Sequence, residues 1–295
     1  MKKMVLIVNP LSGKMKIQSV LLDVIRMFNE AGYSTQVCVT LRRGHPSQIA
    51  ADAPEDTDII VCSGGDGTLN EVVTGLLKSN KSDIPVGYLP AGSTNDFAST
   101  FGLQTDIKKA AAEIIKGTPH SVDIGLFNEN DYFSYIASFG MFTSVSYNTP
   151  QSIKNTFGHL AYVVGGIKDI TKIIPYKVTV ESDGKIYTGD YIFGSVTNTT
   201  SVGGIVKLDS SLVKMNDGLF ETVLVKNPSN INDLNKIIGG LTTSNFDDDV
   251  FEFIKSEHIK MHFNEEMDWS LDGEHKKSGK DVSIRNLHKA VMLVK

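Results

Sequence analysis

The segment SGGDGTLNEVV, residues 63–73, carries the residue types and spacing best suited to chemistry. It follows an apolar run, DIIVCSG (58–64), and leads into a helical pattern, LNEVVTGLLK (69–78). Gly64 and Gly65 let the backbone turn and come close to a ligand. A helix start offers unpaired N–H groups and the positive end of its dipole, which suit phosphate. Thr68 adds a hydroxyl. Asp66 is out of place beside phosphates unless a cation intervenes, and magnesium bridges carboxylates and phosphate oxygens. A Gly-Gly turn alone is a weak signal, with Asp66 a mere helix cap. Gly-Gly-Asp-Gly-Thr at the carboxyl end of an α/β strand is stronger, because ligands bind there.

Two more loops fall at strand ends on the same expected edge. NPLSGK (9–14) closes the apolar run 4–10, and LPAGSTNDFA (89–98) follows the run PVGYLP (85–90). The second offers the hydroxyls of Ser93 and Thr94, the amide of Asn95 and the carboxylate of Asp96. Alone, NPLSGK reads as a turn; three such loops on one edge reinforce one another. The chain lacks the Walker pattern and the protein-kinase signature set. Its seven histidines include no pair at metal-ligand spacing on one element. His45 is read as structural, and Trp269, the single tryptophan, as a packing residue beneath the segment LDGE (271–274).

These loops need a scaffold. Residues 17, 20, 21, 24, 25 and 28 are apolar at helical spacing. Strand signals at 35–40, 58–64 and 85–90 alternate with helical ones at 46–53, 69–78 and 107–117. Nearly continuous apolar strands alternating with helices imply a parallel sheet covered on both faces. From residue 121 the chain reads mainly as strands, with SDGK (182–185) a hairpin turn and helices over 159–174 and 230–241. The expected organisation is an α/β nucleotide-binding domain over 1–125 and a mainly antiparallel β domain over 126–295, whose last strand can return to the first domain.

Composition sets the outer limits. The chain has 295 residues, 41% of them hydrophobic, and a formal net charge of −5. That is globular composition with no basic field for nucleic acid. The two cysteines, Cys38 and Cys62, lie in apolar runs and imply small buried side chains in a reducing cytoplasm rather than a disulfide framework. The N-terminal run is too short for a signal peptide, and no window reaches the roughly 20 apolar residues of a membrane span. A lipid substrate would therefore be taken from the membrane surface.

NPLSGK, GGDGTLNEVV and PAGSTNDFA, in this order and spacing, resemble the diacylglycerol kinase catalytic domain, shared by bacterial diacylglycerol and YegS-type lipid kinases and by sphingosine kinases. The likeness extends to RGHPSQIA (43–50), MNDGLFE (215–221) and LDGE (271–274). It implies an α/β domain like those of NAD kinase and phosphofructokinase, with ATP along the glycine-rich loop between two domains. Asn9, Thr40, Gly65, Asp66, Gly67, Thr68, Leu69, Asn70 and Thr94 match the nucleotide contacts. Asp272 matches the catalytic base for the lipid hydroxyl, and Glu274 an assistant at the metal or nucleotide. Besides the Mg2+ of Mg-ATP, the resemblance implies a structural Mg2+ held by Asp217 and the main-chain carbonyls of Lys214 and Leu219; the residues alone read equally well as an Asn-Asp-Gly turn. The implied activity is ATP-dependent phosphorylation of a lipid alcohol, with diacylglycerol the default acceptor. The enzyme would be cytoplasmic and transiently at the inner face of the membrane. A homodimer is compatible with it.

The chain departs from the family pattern at Ser99, where arginine is usual. GGIVKLDSSLVKMNDG carries no proline, and FGMFTSV replaces a Gly-Phe-Asp run. These changes bear on substrate recognition more than on nucleotide binding. Two other readings stay open: a kinase of a soluble substrate such as NAD, and a nucleotide-binding regulator without turnover. The first lacks the expected second glycine loop; the second is hard to square with the retained acids Asp272 and Glu274.

Overall fold

Uninterrupted apolar runs bury best when a strand has neighbours on both sides and cover on both faces, and the first part of the chain is built this way. In this computed structural model, residues 1–93, 95–141, 173–202, 206–207, 213–243 and 245–295 are described. They divide into two compact units, Met1–Asp123 with Lys289–Lys295, and Ile124–His288.

The first unit contains β1 (Lys2–Val8), β2 (Tyr33–Val39), β3 (Ile59–Gly64) and β4 (Val86–Pro90), with helices α1 (Lys16–Glu30), α2 (His45–Ala51), α3 (Asp66–Lys78), α4 (Asp96–Phe101) and α5 (Ile107–Lys116). β1 pairs in parallel with β2 and β3, and β3 with β4. β3 and β4 are buried throughout, whereas β2, at the end of the strand order, leaves Val37 and Val39 partly exposed. The apolar stripe of α1 delivers Ile17, Val24 and Phe28 to a core with Leu6, Val61 and Leu89. Asp106 caps α5 by accepting a hydrogen bond from the Lys109 N–H at 2.9 Å. All strand–helix alternations expected here are present, and DFASTF (96–101), left without an assigned element in the sequence, forms α4.

In the rest of the chain, β5 (Pro119–Phe127), β6 (Asp131–Phe133) and β7 (Ile136–Gly140) are followed by β8 (Tyr176–Ser182), β9 (Lys185–Thr197) and the short β10 (Ser201–Val202) and β11 (Val206–Lys207). Then come β12 (Phe220–Lys226), α6 (Ile231–Thr243), β13 (Phe251–Ser256), β14 (His258–Phe263), β15 (Met267–Leu271), β16 (Glu274–Ser278) and β17 (Asp281–Val294). The last residues of β17, Leu293 and Val294, pair in parallel with Val86 and Gly87 of β4 and belong to the first unit. β8 and β9 form the expected hairpin, with Asp183 and Gly184 both at positive φ. The second half of β9 pairs with β7 on one edge and β12 on the other, which is why YIFGSVT is wholly buried. FEFIKSEHIKMHF, read as one strand, divides at Glu257 into β13 and β14, which pair with different neighbours. Trp269 is fully buried against Phe127, Phe139 and Phe263, the packing role expected of it. The helix expected over 159–174 falls outside the described residues except for its last two, which are not helical. Residues 203–205 and 208–212 of the departing segment GGIVKLDSSLVKMNDG, and 142–145 of FGMFTSV, also lie outside. The fold is thus α/β with a parallel sheet first and antiparallel strands after it.

Candidate active site

Parallel pairing in register brings the ends of β1, β2 and β3 to one edge, and three loops meet beyond it. The Asn9 N–H donates to the Ser63 carbonyl at 2.9 Å, and the Asn9 side-chain amide donates to Thr68 Oγ1 at 3.1 Å. Thr40, buried, continues the β1–β2 pairing by donating its N–H to the Val8 carbonyl. The Ala91 N–H donates to the Gly64 carbonyl at 2.7 Å. Glycines make these approaches feasible. A Cβ on Gly92 would lie 2.7 Å from Gly65 Cα, and one on Gly13, at φ 46°, would run into the Ala91 carbonyl. Gly65 is the N-cap of α3, so Asp66, Gly67 and Thr68 form its first turn. Leu69 is buried in the core, which leaves only its main chain for a ligand, and Asn70 is half-buried. Thr94 lies outside the described residues. His45 Nδ1 accepts the Leu41 N–H at 3.1 Å, a structural role.

Asp66 is the electrostatic centre of this edge. Burial, and then the Asp96 carboxylate, push its pKa up from 3.8 to about 6. Asp66 Oδ2 accepts the Asp96 N–H at 3.0 Å, and its Oδ1 lies 3.4 Å from the Tyr88 hydroxyl. Tyr88 Oη also lies 3.3 Å from the Gly64 carbonyl and 3.5 Å from Asn95 Oδ1. Asn95 sits at φ 54° and exchanges hydrogen bonds with Gly92, accepting at 2.9 Å and donating at 3.1 Å. Sequence reading missed Tyr88. The available signal was a tyrosine inside a buried strand, whose hydroxyl needs a partner.

The second unit presents Asp272. It occupies the tight β15–β16 turn with Gly273, both at positive φ. Its side chain is buried, and main-chain donors converge on the carboxylate: Ser134 N–H to Oδ2 at 2.6 Å, and Tyr135 and Ile136 N–H to Oδ1 at 3.0 Å each. The Asp272 N–H in turn donates to the Ile136 carbonyl at 2.9 Å. The Tyr135 carbonyl accepts from Thr197 Oγ1 at 2.7 Å and from the Asn198 N–H at 3.1 Å. This buried polar cluster of Thr197, Asn198 and Thr199 was also missed, because nothing local marks TNTT as more than a loop. Glu274 opens β16 and is half-buried.

Comparison with known proteins identifies the assembly. Residues 3–127 match the diacylglycerol kinase catalytic domain. A diacylglycerol kinase of Bacillus subtilis (strain 168) is 36% identical over 279 residues, 93% of this chain and 90% of that protein. The chain belongs to the diacylglycerol kinase family. It is a kinase. A diacylglycerol kinase of Staphylococcus carnosus (strain TM300) is 31% identical over 279 residues, 93% of this chain and 89% of that one. A crystal structure of a diacylglycerol kinase from Bacillus anthracis has a TM-score of 0.76 at 21% identity, covering 99% of this chain and 96% of that one. A second crystal structure from that organism reaches 0.82 at 24%, covering 99% and 94%. These structural likenesses speak for the fold.

The two cation sites implied by the diacylglycerol kinase family fare differently when tested against the residues present. At Asp66, a buried carboxylate is crowded by the half-buried Asp96 carboxylate, a donor set of hard oxygens that a divalent ion would relieve. At the 214–219 turn the carboxylate is already engaged. Asp217 Oδ1 accepts the Leu219 N–H at 3.1 Å, and Oδ2 is 3.0 Å from Lys255 Nζ. Lys214 is exposed. Among the described residues, no group of three or more His, Cys, Asp or Glu side chains is placed to hold a metal ion. Nor is any described helix long and apolar enough to cross a membrane.

Proposed function

We propose that this kinase transfers the γ-phosphate of ATP to the hydroxyl of diacylglycerol, giving phosphatidic acid. The observation that carries the reading is the meeting of the three loops around Asp66 in a chain 36% identical to a diacylglycerol kinase. The first-turn N–H groups of α3 would hold phosphate oxygens, with Asn9, Thr40, Thr68 and Thr94 around the nucleotide. Asp66 and Asp96 would hold the magnesium of Mg-ATP. That ion would neutralise charge on the phosphates.

Phosphoryl transfer asks the protein for positioning and electrostatics more than for covalent chemistry. Asp272, fixed by main-chain donors, suits the task of receiving and orienting the acceptor hydroxyl, with Glu274 assisting. The lipid would come from the membrane surface, reached by an enzyme resident in the cytoplasm. The test is labelled ATP with diacylglycerol in mixed micelles, beside other lipid alcohols and NAD. Labelled phosphatidic acid that requires Mg2+ is the expected product. Label passing to another lipid would reassign the acceptor, and label passing to NAD alone would overturn the lipid-kinase reading.

A further inference from the structure

Glu221 is a buried carboxylate with an unusual environment. Its side chain is fully buried, and among the described residues its Oε2 has no hydrogen-bond partner. Its compensation is ionic: Lys255 Nζ stands 3.0 Å from Glu221 Oε1. The pairing is set by register, since Glu221 on β12 lies directly opposite Lys255 on β13. The same ammonium is 3.0 Å from Asp217 Oδ2, on the turn that leads into β12. One lysine therefore serves two carboxylates.

We infer that Lys255 is a built-in cation that takes the place of the divalent ion implied at the 214–219 turn. An ammonium between these carboxylates and a magnesium ion on Asp217 compete for the same charge. Magnesium also demands near-octahedral oxygen ligands at about 2.0–2.1 Å and gives up its waters reluctantly. A tethered ammonium is present at every magnesium concentration, needs no dehydrated octahedron, and repels a second cation at short range. The turn preceding β12 is thus ordered independently of free Mg2+. The converse also holds. Without the ammonium, Asp217 and Glu221 would face one space with no cation between them, and two hard carboxylates would then recruit a divalent ion.

The experiment is thermal melting of the nucleotide-free full chain in MgCl2 and in EDTA, for wild type, Asp217→Asn and Lys255→Met. Wild type and Asp217→Asn should respond to Mg2+ alike, because any shared response arises elsewhere, at Asp66 and Asp96. Lys255→Met should melt lower in EDTA and gain a Mg2+-dependent rise of more than about 3 °C beyond that of wild type. A Mg2+ response larger by that margin in wild type than in Asp217→Asn overturns the inference, since an ion would then bind the turn with the lysine in place. So does a folded Lys255→Met that gains no Mg2+ response. If Lys255→Met does not fold, the wild-type and Asp217→Asn pair decides alone, and Lys255→Met with Glu221→Gln should fold without any added response to Mg2+.

Discussion

The Asp66 carboxylate accepts a hydrogen bond from the main-chain N–H of Asp96 at 3.0 Å, so the acid after β3 anchors the loop after β4. The two side chains of this pair repel, and burial adds to the cost of ionising Asp66. The folded pKa, about 6, lies above the ordinary 3.8. The stability it contributes is therefore fully present below about pH 3.8 and lost as pH rises through about 6. At neutral pH the cost is up to about 3 kcal/mol. Asp66→Asn should raise the melting temperature of the metal-free protein at pH 7–8, with the gain fading toward pH 4, and should abolish most Mg-ATP-dependent turnover. Melting curves across pH check the first part, and a gain that does not fade on acidification would show that Asp66 is not its source.

Gly13 and Gly92 let three chain segments meet, and neither has room for a methyl group. Gly92→Ala must push Gly65 aside, and Gly13→Ala must displace the Ala91 carbonyl while holding a positive φ. Each should cost about 1–3 kcal/mol, as overpacking does, and should cut turnover by far more than the comparison variant Gly44→Ala. Gly44 also has positive φ but open space around it. Equal losses at all three positions, read by melting and by kinase assay, would mean that the loop contact has no part in activity.

The Tyr88 hydroxyl faces three acceptors at 3.3–3.5 Å, all long for a hydroxyl hydrogen bond. It carries one proton, so it serves these partners weakly. Tyr88→Phe should therefore lower stability by no more than about 0.5–1.5 kcal/mol. Its clearer mark should be on the acid limb of the pH–rate profile, which moves upward because Asp66 loses a donor that favours its charged form. An unmoved acid limb would assign Tyr88 to packing alone.

What the sequence disclosed follows from range. Gly-Gly-Asp-Gly-Thr was legible because its strand, turn and helix start are contiguous, and the meeting of three loops followed from parallel strands. The Asp-Gly turn at 272–273 was equally local. The donors to Asp272 lie at 134–136, and their arrival depends on β15 pairing with β7, which no local pattern states. The Lys255 contact needed the β12–β13 register as well. The break at Glu257 was invisible for a different reason: it uses neither glycine nor proline, so β13 and β14 read as one run.

Asp272→Asn is the usual probe for a catalytic carboxylate, and the sequence alone suggests a folded, inactive protein. The geometry predicts another result. Three main-chain N–H groups point at the two oxygens. An asparagine offers one oxygen and one NH2, and the NH2 cannot accept. Turned one way it opposes Ser134 N–H; turned the other, it opposes both Tyr135 and Ile136. The first is the cheaper, and still leaves a buried donor unpaired at about 1–3 kcal/mol. The melting temperature should fall by several degrees, at roughly 2–4 °C per kcal/mol for a domain of 150–250 residues. Emission from Trp269, three residues before Asp272 and the single tryptophan, reports this transition. Turnover should be measured well below the lowered midpoint, where the variant is folded. If Asp272 orients the acceptor hydroxyl, single-turnover transfer should there drop by about 10²–10⁴-fold, with nucleotide affinity nearly unchanged. A midpoint equal to wild type would refute the clamp. A lowered midpoint with transfer within a few-fold of wild type would make Asp272 the holder of residues 134–136 alone, and Glu274 the next residue to test for the hydroxyl.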